Sequence, residues 1–482
     1  MKSIIVNIVP EETCMAVVED HELLEIEVER ASHTHLVGNI YQGHVQNVLP
    51  GMQAAFVDIG SDKNAFLYVG SLPKGTKSKN LPGIISQPVH IGQNLPIQII
   101  KDAIGTKGPR ATTHLSLPGR HVVLMPTSAY IGISRRIEEA DERERLREIA
   151  ERICPEHMGL IVRTAAHGKS EAALRADVKY LIRLWESLMA RNRLSKPPTL
   201  LYRDADLLIR IVRDLFTEDI DALILDDAAA YQRIVDLVQY VSPELAGRIQ
   251  LYEGRVPIFR EYHIEDEIDK LGEREVELKS GGFIVIDKTE ALTVIDVNTG
   301  KFVGRANLAD TVYQTNLEAA AEILKQVRLR DIGGIILVDF IDMDRAEQKE
   351  SLLAFMREHV KQDRTKTNIV DITSLGLVEI TRKKSRQNFE SIIYSECPCC
   401  HGRGRIESSE TVSIHISRDL RRMESVSHAA DGYEVEVHTQ VAEALTQSGL
   451  LKHLAADLGI EILVTPKTGM HPENYTILQR MI

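Results

Sequence analysis

Residues 293–302 read TVIDVNTGKF, a β-branched run that carries a carboxylate at Asp296 and an amide at Asn298 and stops at Gly300. Thr, Val and Ile suit a pleated, half-buried surface, so the run predicts a strand. Side chains alternate along a strand, which puts Asp296 and Asn298 on one face with Leu292 and Val294, and Thr293, Ile295 and Val297 on the other. FIVID, upstream of a three-residue polar turn, predicts the hairpin partner. Downstream, Tyr313, Leu317, Ala320, Leu324 and Val327 mark the apolar stripe of a helix from about Asn307 to Arg330, ended by Gly333-Gly334. GIILVDF then predicts a strand buried on both faces, with Asp339 at its carboxyl end. The order β-β-α-β makes an α/β domain whose polar strand ends line a crevice, and a right-handed crossover brings Asp339 beside Asp296.

Two carboxylates so placed repel unless a cation neutralises them. An oxygen-only donor set suits a hard octahedral ion such as Mg²⁺, which keeps several waters and is shared with substrate phosphate. The residues point to phosphodiester hydrolysis, with Asp296 and Asp339 on the metal and Asn298 orienting a carboxylate or a phosphate oxygen. The competing reading is that Asp and Asn at strand ends simply form turns.

At 482 residues and 43% hydrophobic, the chain has material for about three domains. No apolar run approaches the ~20 residues of a membrane span, and MKSIIVNIVPEET is too short and too soon acidic for a secretory signal, which predicts a cytoplasmic protein without a membrane partner. A net charge of −12 argues against a nonspecific nucleic-acid coat. The charge is segregated, however: basic stretches at 71–110 and 381–405 flank the acidic stretch 253–277. That pattern fits a polyanion led past metal-binding carboxylates, although basic clusters also occur as plain solvated surface.

Residues 1–37 predict a short meander, and from VGNIYQGHV to about Leu117 short strands punctuated by Gly and Pro predict a small β-barrel. A charged helix (EEADERERLREIAERI), the strand GLIVRTA and the helix SEAALRADVKYLIRLWESLMARNRL follow. LLIRIVRDL and ALILDD predict two strands, and AAAYQRIVDLVQYV a helix. These pieces are expected to pack with the first 37 residues, making the barrel and the mixed region insertions within one domain. The last 75 or so residues predict a small α+β appendage.

In the barrel, alternation turns Phe56 and Phe66 away from the apolar faces of their strands, where an aromatic can stack on a nucleic-acid base; core Phe in an irregular barrel is the alternative. The basic loop GTKGPR, with Lys107 and Arg110, lies nearby. Arg163 and Thr164, where GLIVRT leaves its core, offer a planar fork and a hydroxyl suited to a terminal phosphate. CPCCHGRG has Cys-x-x-Cys spacing, but zinc needs four ligands and Cys397 and Cys400 supply two. The same pair from a second protomer is the simplest completion; a redox pair competes, disfavoured because no thioredoxin-like helix is expected after it.

IDVNTGKF, GGIILVDFIDM, CPCCHGRG and GNIYQGHV with GMQAAFVDIG, spread over residues 38–404, together resemble the ribonuclease E/G family. The absence of a long scaffold tail after the knuckle makes the resemblance to the G type of that family. It implies an RNase H-like domain (1–37 with 208–271), an inserted S1-type OB-fold barrel (38–118), a 5′-sensor region (119–207), a DNase I-like catalytic domain (272–394), a zinc-link (395–405) and a small dimerisation domain (406–482). It further implies Mg²⁺ on Asp296 and Asp339, Phe56, Phe66 and Lys107 as RNA contacts, and a 5′-monophosphate pocket of Arg163 and Thr164 with Gly119, Val123 and Arg135. The implied activity is endonucleolytic cleavage of single-stranded, AU-rich RNA to 5′-phosphate and 3′-hydroxyl ends, in ribosomal RNA maturation and mRNA decay. Zn²⁺ shared through Cys397 and Cys400 implies a homodimer, or a tetramer of paired dimers. A non-catalytic RNA-binding scaffold or regulator with a vestigial metal site is the alternative.

Overall fold

The computed structural model describes all residues except 31–35, 69–88, 104–106, 301–307, 385–388, 427–431 and 481–482. Much of the first basic stretch, the first residue of the expected long helix, and Lys301 and Phe302 of the opening motif lie outside the described residues. Two compact units, Met1–Ile392 and Ile393–Ile482, are distinguished.

In the first unit, Lys2–Val9 pairs in parallel with Ala222–Leu225 and antiparallel with Glu12–Glu19. The chain thus returns after a long excursion to complete a five-stranded sheet that also holds Glu22–Arg30 and Ile249–Leu251. LLIRIVRDL is not a strand. It forms a helical turn, Leu207–Arg210, followed by a wider π-type turn, Ile211–Leu215. Its β-branched content suits a strand, but Leu207, Ile211 and Leu215 are buried at helical spacing, and Asp206 caps the start by accepting from the Ile209 amide at 3.0 Å.

Within the excursion, Ile40–Leu49, Ala54–Asp58, Ala65–Tyr68, Arg110–Thr112 and Asn94–Lys101 form a five-stranded barrel, closed by pairing of the last with the first. Val45, Val57, Leu67, Ile97 and Ile99 fill it. A four-stranded sheet follows, in which Gly159–Val162 lies between Ile131–Ile133 and Val122–Met125. The helices Ala140–Ile153 and Glu171–Leu194 share its core.

The sheet that carries the opening motif has the order Glu275–Glu277, Phe283–Lys288, Leu292–Asn298, Gly334–Asp339, Val378–Arg382, Thr367–Ile372. The predicted hairpin is present, with Ile286 opposite Ile295. The helix Leu308–Leu329 leads to a strand parallel to Leu292–Asn298. Its fully buried line is Ala319, Ala320, Ile323 and Val327, flanked by the partly buried Tyr313, Leu317 and Leu324. That helix and Ala346–His359 contribute to one core with Ile295, Val297, Ile336 and Val338. GIILVDF is therefore buried on one face only. Ile335 is 51% exposed, and among the described residues the helices of that core pack with the opposite face, that of Ile336 and Val338.

The second unit has a three-stranded sheet of Glu461–Pro466, Gly432–Val437 and Tyr475–Arg480, packed with three helices. No helix among the described residues is long and apolar enough to cross a membrane.

Candidate active site and nucleic-acid interface

The acidic residues stand on the face of this sheet that carries the exposed Ile335. Leu292–Asn298 alternates as its sequence predicts, with Thr293, Ile295 and Val297 buried and Asp296 exposed. Asp296 is the direct register partner of Asp339 on the parallel neighbour. Adjacent strands lie about 4.8 Å apart, so both carboxylates leave the same face side by side. The Asn298 amide donates to Asp296 Oδ2 at 2.9 Å, fixing one carboxylate oxygen. Among the described residues no group of three or more His, Cys, Asp and Glu could hold a metal ion. Two exposed carboxylates fit an ion that leaves most of its coordination sphere to water and substrate, which is the habit of Mg²⁺.

Sequence reasoning missed Asn316, which is fully buried on the long helix. Its Nδ2 donates to the Ile341 carbonyl at 2.7 Å, and its Oδ1 accepts from the Ile341 amide at 3.1 Å. One side chain thereby replaces a strand partner for the chain just beyond Asp339, locking the strand end that carries the carboxylate. The available signal was its helical spacing with the apolar Val312, Ala319, Ala320 and Ile323.

On the barrel, Phe56 and Phe66 are cross-strand partners. Both are half-buried, their rings 5.9 Å apart and nearly perpendicular at 73°. Beside them runs the basic loop: Phe66 donates its amide to Pro109 O at 2.7 Å, Arg110 pairs with Phe66, and Lys107 and Arg110 are exposed. The loop comes this close only because Gly108 has no side chain; a Cβ there would lie 2.2 Å from Asn64 O. Tyr68 extends the aromatic face, 40% exposed.

Pairing of Gly159–Val162 with both neighbours gathers the five expected phosphate-pocket residues at one end of their sheet. Val122 lies opposite Val162, and Val123 sits between Pro118 and Ile161. Ser134 donates its amide to Val162 O at 2.9 Å, which sets the exposed Arg135 just beyond the strand end. Thr164 shares a 3.0 Å hydroxyl contact with Ser134. Arg163 is not a freely solvated strand-end cation: Nη1 donates to the Gly119 carbonyl at 2.7 Å and Nη2 meets Asp214 at 2.5 Å. A Cβ at Gly119 would lie 2.6 Å from the Asp177 carboxylate, which would have to shift to admit it. That carboxylate accepts from the His121 and Val122 amides at 2.8 and 3.1 Å, holding the turn in shape.

In the second unit the Cys397 thiol is held below its usual range by hydrogen bonds from the amides of Cys400 and Cys399. Such a turn favours the thiolate that a metal needs. The backbone carbonyl of Cys399 lies 2.6 Å from His471 Nε2.

Sequence profiles described as "Ribonuclease E/G family" and "RNase E/G, Thioredoxin-like domain" match residues 116–385 and 396–481. Ribonuclease G of Escherichia coli (strain K12) is 41% identical over 97% of each chain. Ribonuclease G of Haemophilus influenzae is 39% identical over 98% of this chain and 99% of its own. Ribonuclease E of Haemophilus influenzae is 34% identical over 99% of this chain but only 52% of its own length. The chain belongs to the ribonuclease E/G family. The second profile is described as thioredoxin-like, whereas the sequence expectation was that no thioredoxin-like helix follows the cysteines. A helix does follow, Ser409–Val426, but Cys397 and Cys400 lie in the turn ahead of it rather than at its first turn, where a helix dipole would activate a redox thiol.

Proposed function

We propose that this chain is a Mg²⁺-dependent endoribonuclease that cuts single-stranded, AU-rich RNA to 5′-phosphate and 3′-hydroxyl ends, favours 5′-monophosphorylated substrates, and serves ribosomal RNA 5′-end maturation and mRNA decay. Family membership makes it an endoribonuclease, a hydrolase of phosphodiester bonds. The observation that carries the finer reading is the register pairing of Asp296 with Asp339 on an open sheet face. Bound Mg²⁺ would polarise the scissile phosphate and acidify a water. The chain's own part is to present Asp296 and Asp339 as preorganised oxygen donors, with Asn298 restraining Asp296 and Asn316 fixing the backbone past Asp339. Phe56, Phe66 and Lys107 hold the strand by stacking and charge; Arg163, Thr164, Arg135 and the Gly119–Val123 backbone receive its 5′ end. A cytoplasmic location accords with this role.

Titrating Mg²⁺ against a 5′-labelled, AU-rich single strand tests the reading. Fragments should appear with the metal and vanish with chelation; binding without fragments at any Mg²⁺ concentration would instead establish the RNA-binding scaffold. Arg163→Gln is expected to erase the preference for 5′-monophosphorylated over 5′-triphosphorylated or hydroxylated RNA, read as the ratio of kcat/KM values. A variant that still discriminates removes Arg163 from the pocket.

Cys397 and Cys400 supply half of a closed zinc site, and the reading is that two chains share one Zn²⁺ in a homodimer, which leaves room for pairing into tetramers. Elemental analysis should return one zinc per two chains, and chelation should split the dimer in sedimentation. One zinc per chain rules out sharing.

A further inference from the structure

The contact made by Arg163 carries a consequence for the phosphate pocket that none of the expected residues supplies. Its guanidinium is gripped on one side by the Gly119 carbonyl and on the other by Asp214. Asp214 is itself clamped: Arg213 Nε donates to Oδ1 at 3.1 Å and Arg213 Nη2 to Oδ2 at 2.9 Å. Burial pushes the Asp214 carboxyl up, but the hydrogen bonds and charge of Arg213, reinforced by Arg163, hold it below its ordinary range. Arg213 continues to Asp204 Oδ1 at 3.2 Å. Asp204 takes its own place at the foot of the barrel, its amide donating to Asn39 Oδ1 at 2.8 Å. It is pressed so near Gly38 that a Cβ there would lie 2.5 Å from its Oδ2.

Both Arg213 and Asp214 stand on the π-type turn Ile211–Leu215, a local widening often found at functional sites. Buried Arg120, which follows Gly119, donates to the carbonyls of Val212 and Phe216 at 2.6 and 3.1 Å. The two walls that grip Arg163 are thereby tied to each other.

We infer that Asp214, seated by Arg213, is the positioning residue of the RNA 5′-phosphate pocket: it aims the Arg163 guanidinium and so sets the preference for a 5′-monophosphate. A fork held at both Nη atoms loses little freedom when it receives a phosphate, whereas an unheld arginine must be ordered on binding. A purely structural ion pair would affect every RNA alike. The inference rests on the 5′-sensing reading above.

The test compares kcat/KM of the full-length protein on otherwise identical 5′-monophosphorylated and 5′-hydroxylated RNA. By analogy with the outer partners of metal ligands, whose loss costs ~10–100-fold, Asp214→Ala should lower the monophosphate-to-hydroxyl ratio about tenfold, mostly through KM for the monophosphorylated strand. Asp214→Asn, nearly isosteric and still offering an oxygen to Arg163, should fall between and covers the case in which the alanine variant does not fold. Arg163→Gln runs alongside. If it abolishes the preference while both Asp214 variants keep the wild-type ratio, this inference is overturned and the 5′-sensing reading survives. If Arg163→Gln itself keeps the preference, both fall.

Discussion

Asp339→Asn is expected to abolish RNA cleavage while leaving the fold and RNA binding in place. The substitution changes one oxygen of an exposed carboxylate at a strand end, so no core contact is lost and stability should move by no more than ~0.5 kcal/mol. What it removes is half of the anionic pair created by the register of Asp296 with Asp339. Metal-based stabilisation of a phosphoryl transition state amounts to several kcal/mol, which at about 1.4 kcal/mol per decade means a fall on the order of a thousandfold or more in kcat. The measurement is fragment yield from a 5′-labelled strand across a Mg²⁺ series, with circular dichroism and RNA affinity as controls. Turnover within tenfold of wild type takes Asp339 out of the reaction.

Phe56→Ala should weaken single-stranded RNA binding roughly ten- to hundredfold, since stacking contributes ~1–3 kcal/mol per base. Phe56 stands opposite Phe66 in an edge-to-face pair, so its loss also removes the neighbour that keeps Phe66 in place. The double variant should accordingly lose less than the sum of the two single losses, as expected for residues in contact. The barrel itself should stand, because Val57, Leu67 and Ile97 on the inner face are untouched. Filter-binding or anisotropy titrations decide the matter: full affinity with a lowered melting temperature would make Phe56 a packing residue.

The difference between Leu207–Leu215 and Leu292–Asn298 shows where sequence patterning is informative. In TVIDVN the period of two coincides with β-branched composition, and composition and burial agree. In LLIRIVRDL the composition favours a strand, while the apolar positions fit helical spacing equally well; a cap from Asp206 and burial against the first sheet settle it. GIILVDF reads as doubly buried because Ile, Leu and Val occupy both of its faces. Whether anything covers a face depends on where helices from elsewhere in the chain land, and here they land on one side.

The candidate site divides in the same way. Asp296, Asn298 and Asp339 were legible because alternation and a right-handed crossover are local rules, and the aromatic pair because its face follows from period two. Asn316 and Asp214 were not. Each acts through a contact that closes over a long stretch of chain, from Asn316 to Ile341 and from Arg163 to Asp214, and neither stands in a motif.

By itself, then, the sequence determined the nature of most elements, LLIRIVRDL excepted, and the alternation of faces along Leu292–Asn298, because these depend on periods of two and 3.6 and on side-chain chemistry. Only the tertiary structure decided that Asp296 and Asp339 share a register, that Arg163 is gripped rather than free, and that residues 207–215 coil instead of extending. Those outcomes depend on packing and ion pairing between segments far apart in the chain, whose strength is set by burial and distance in three dimensions.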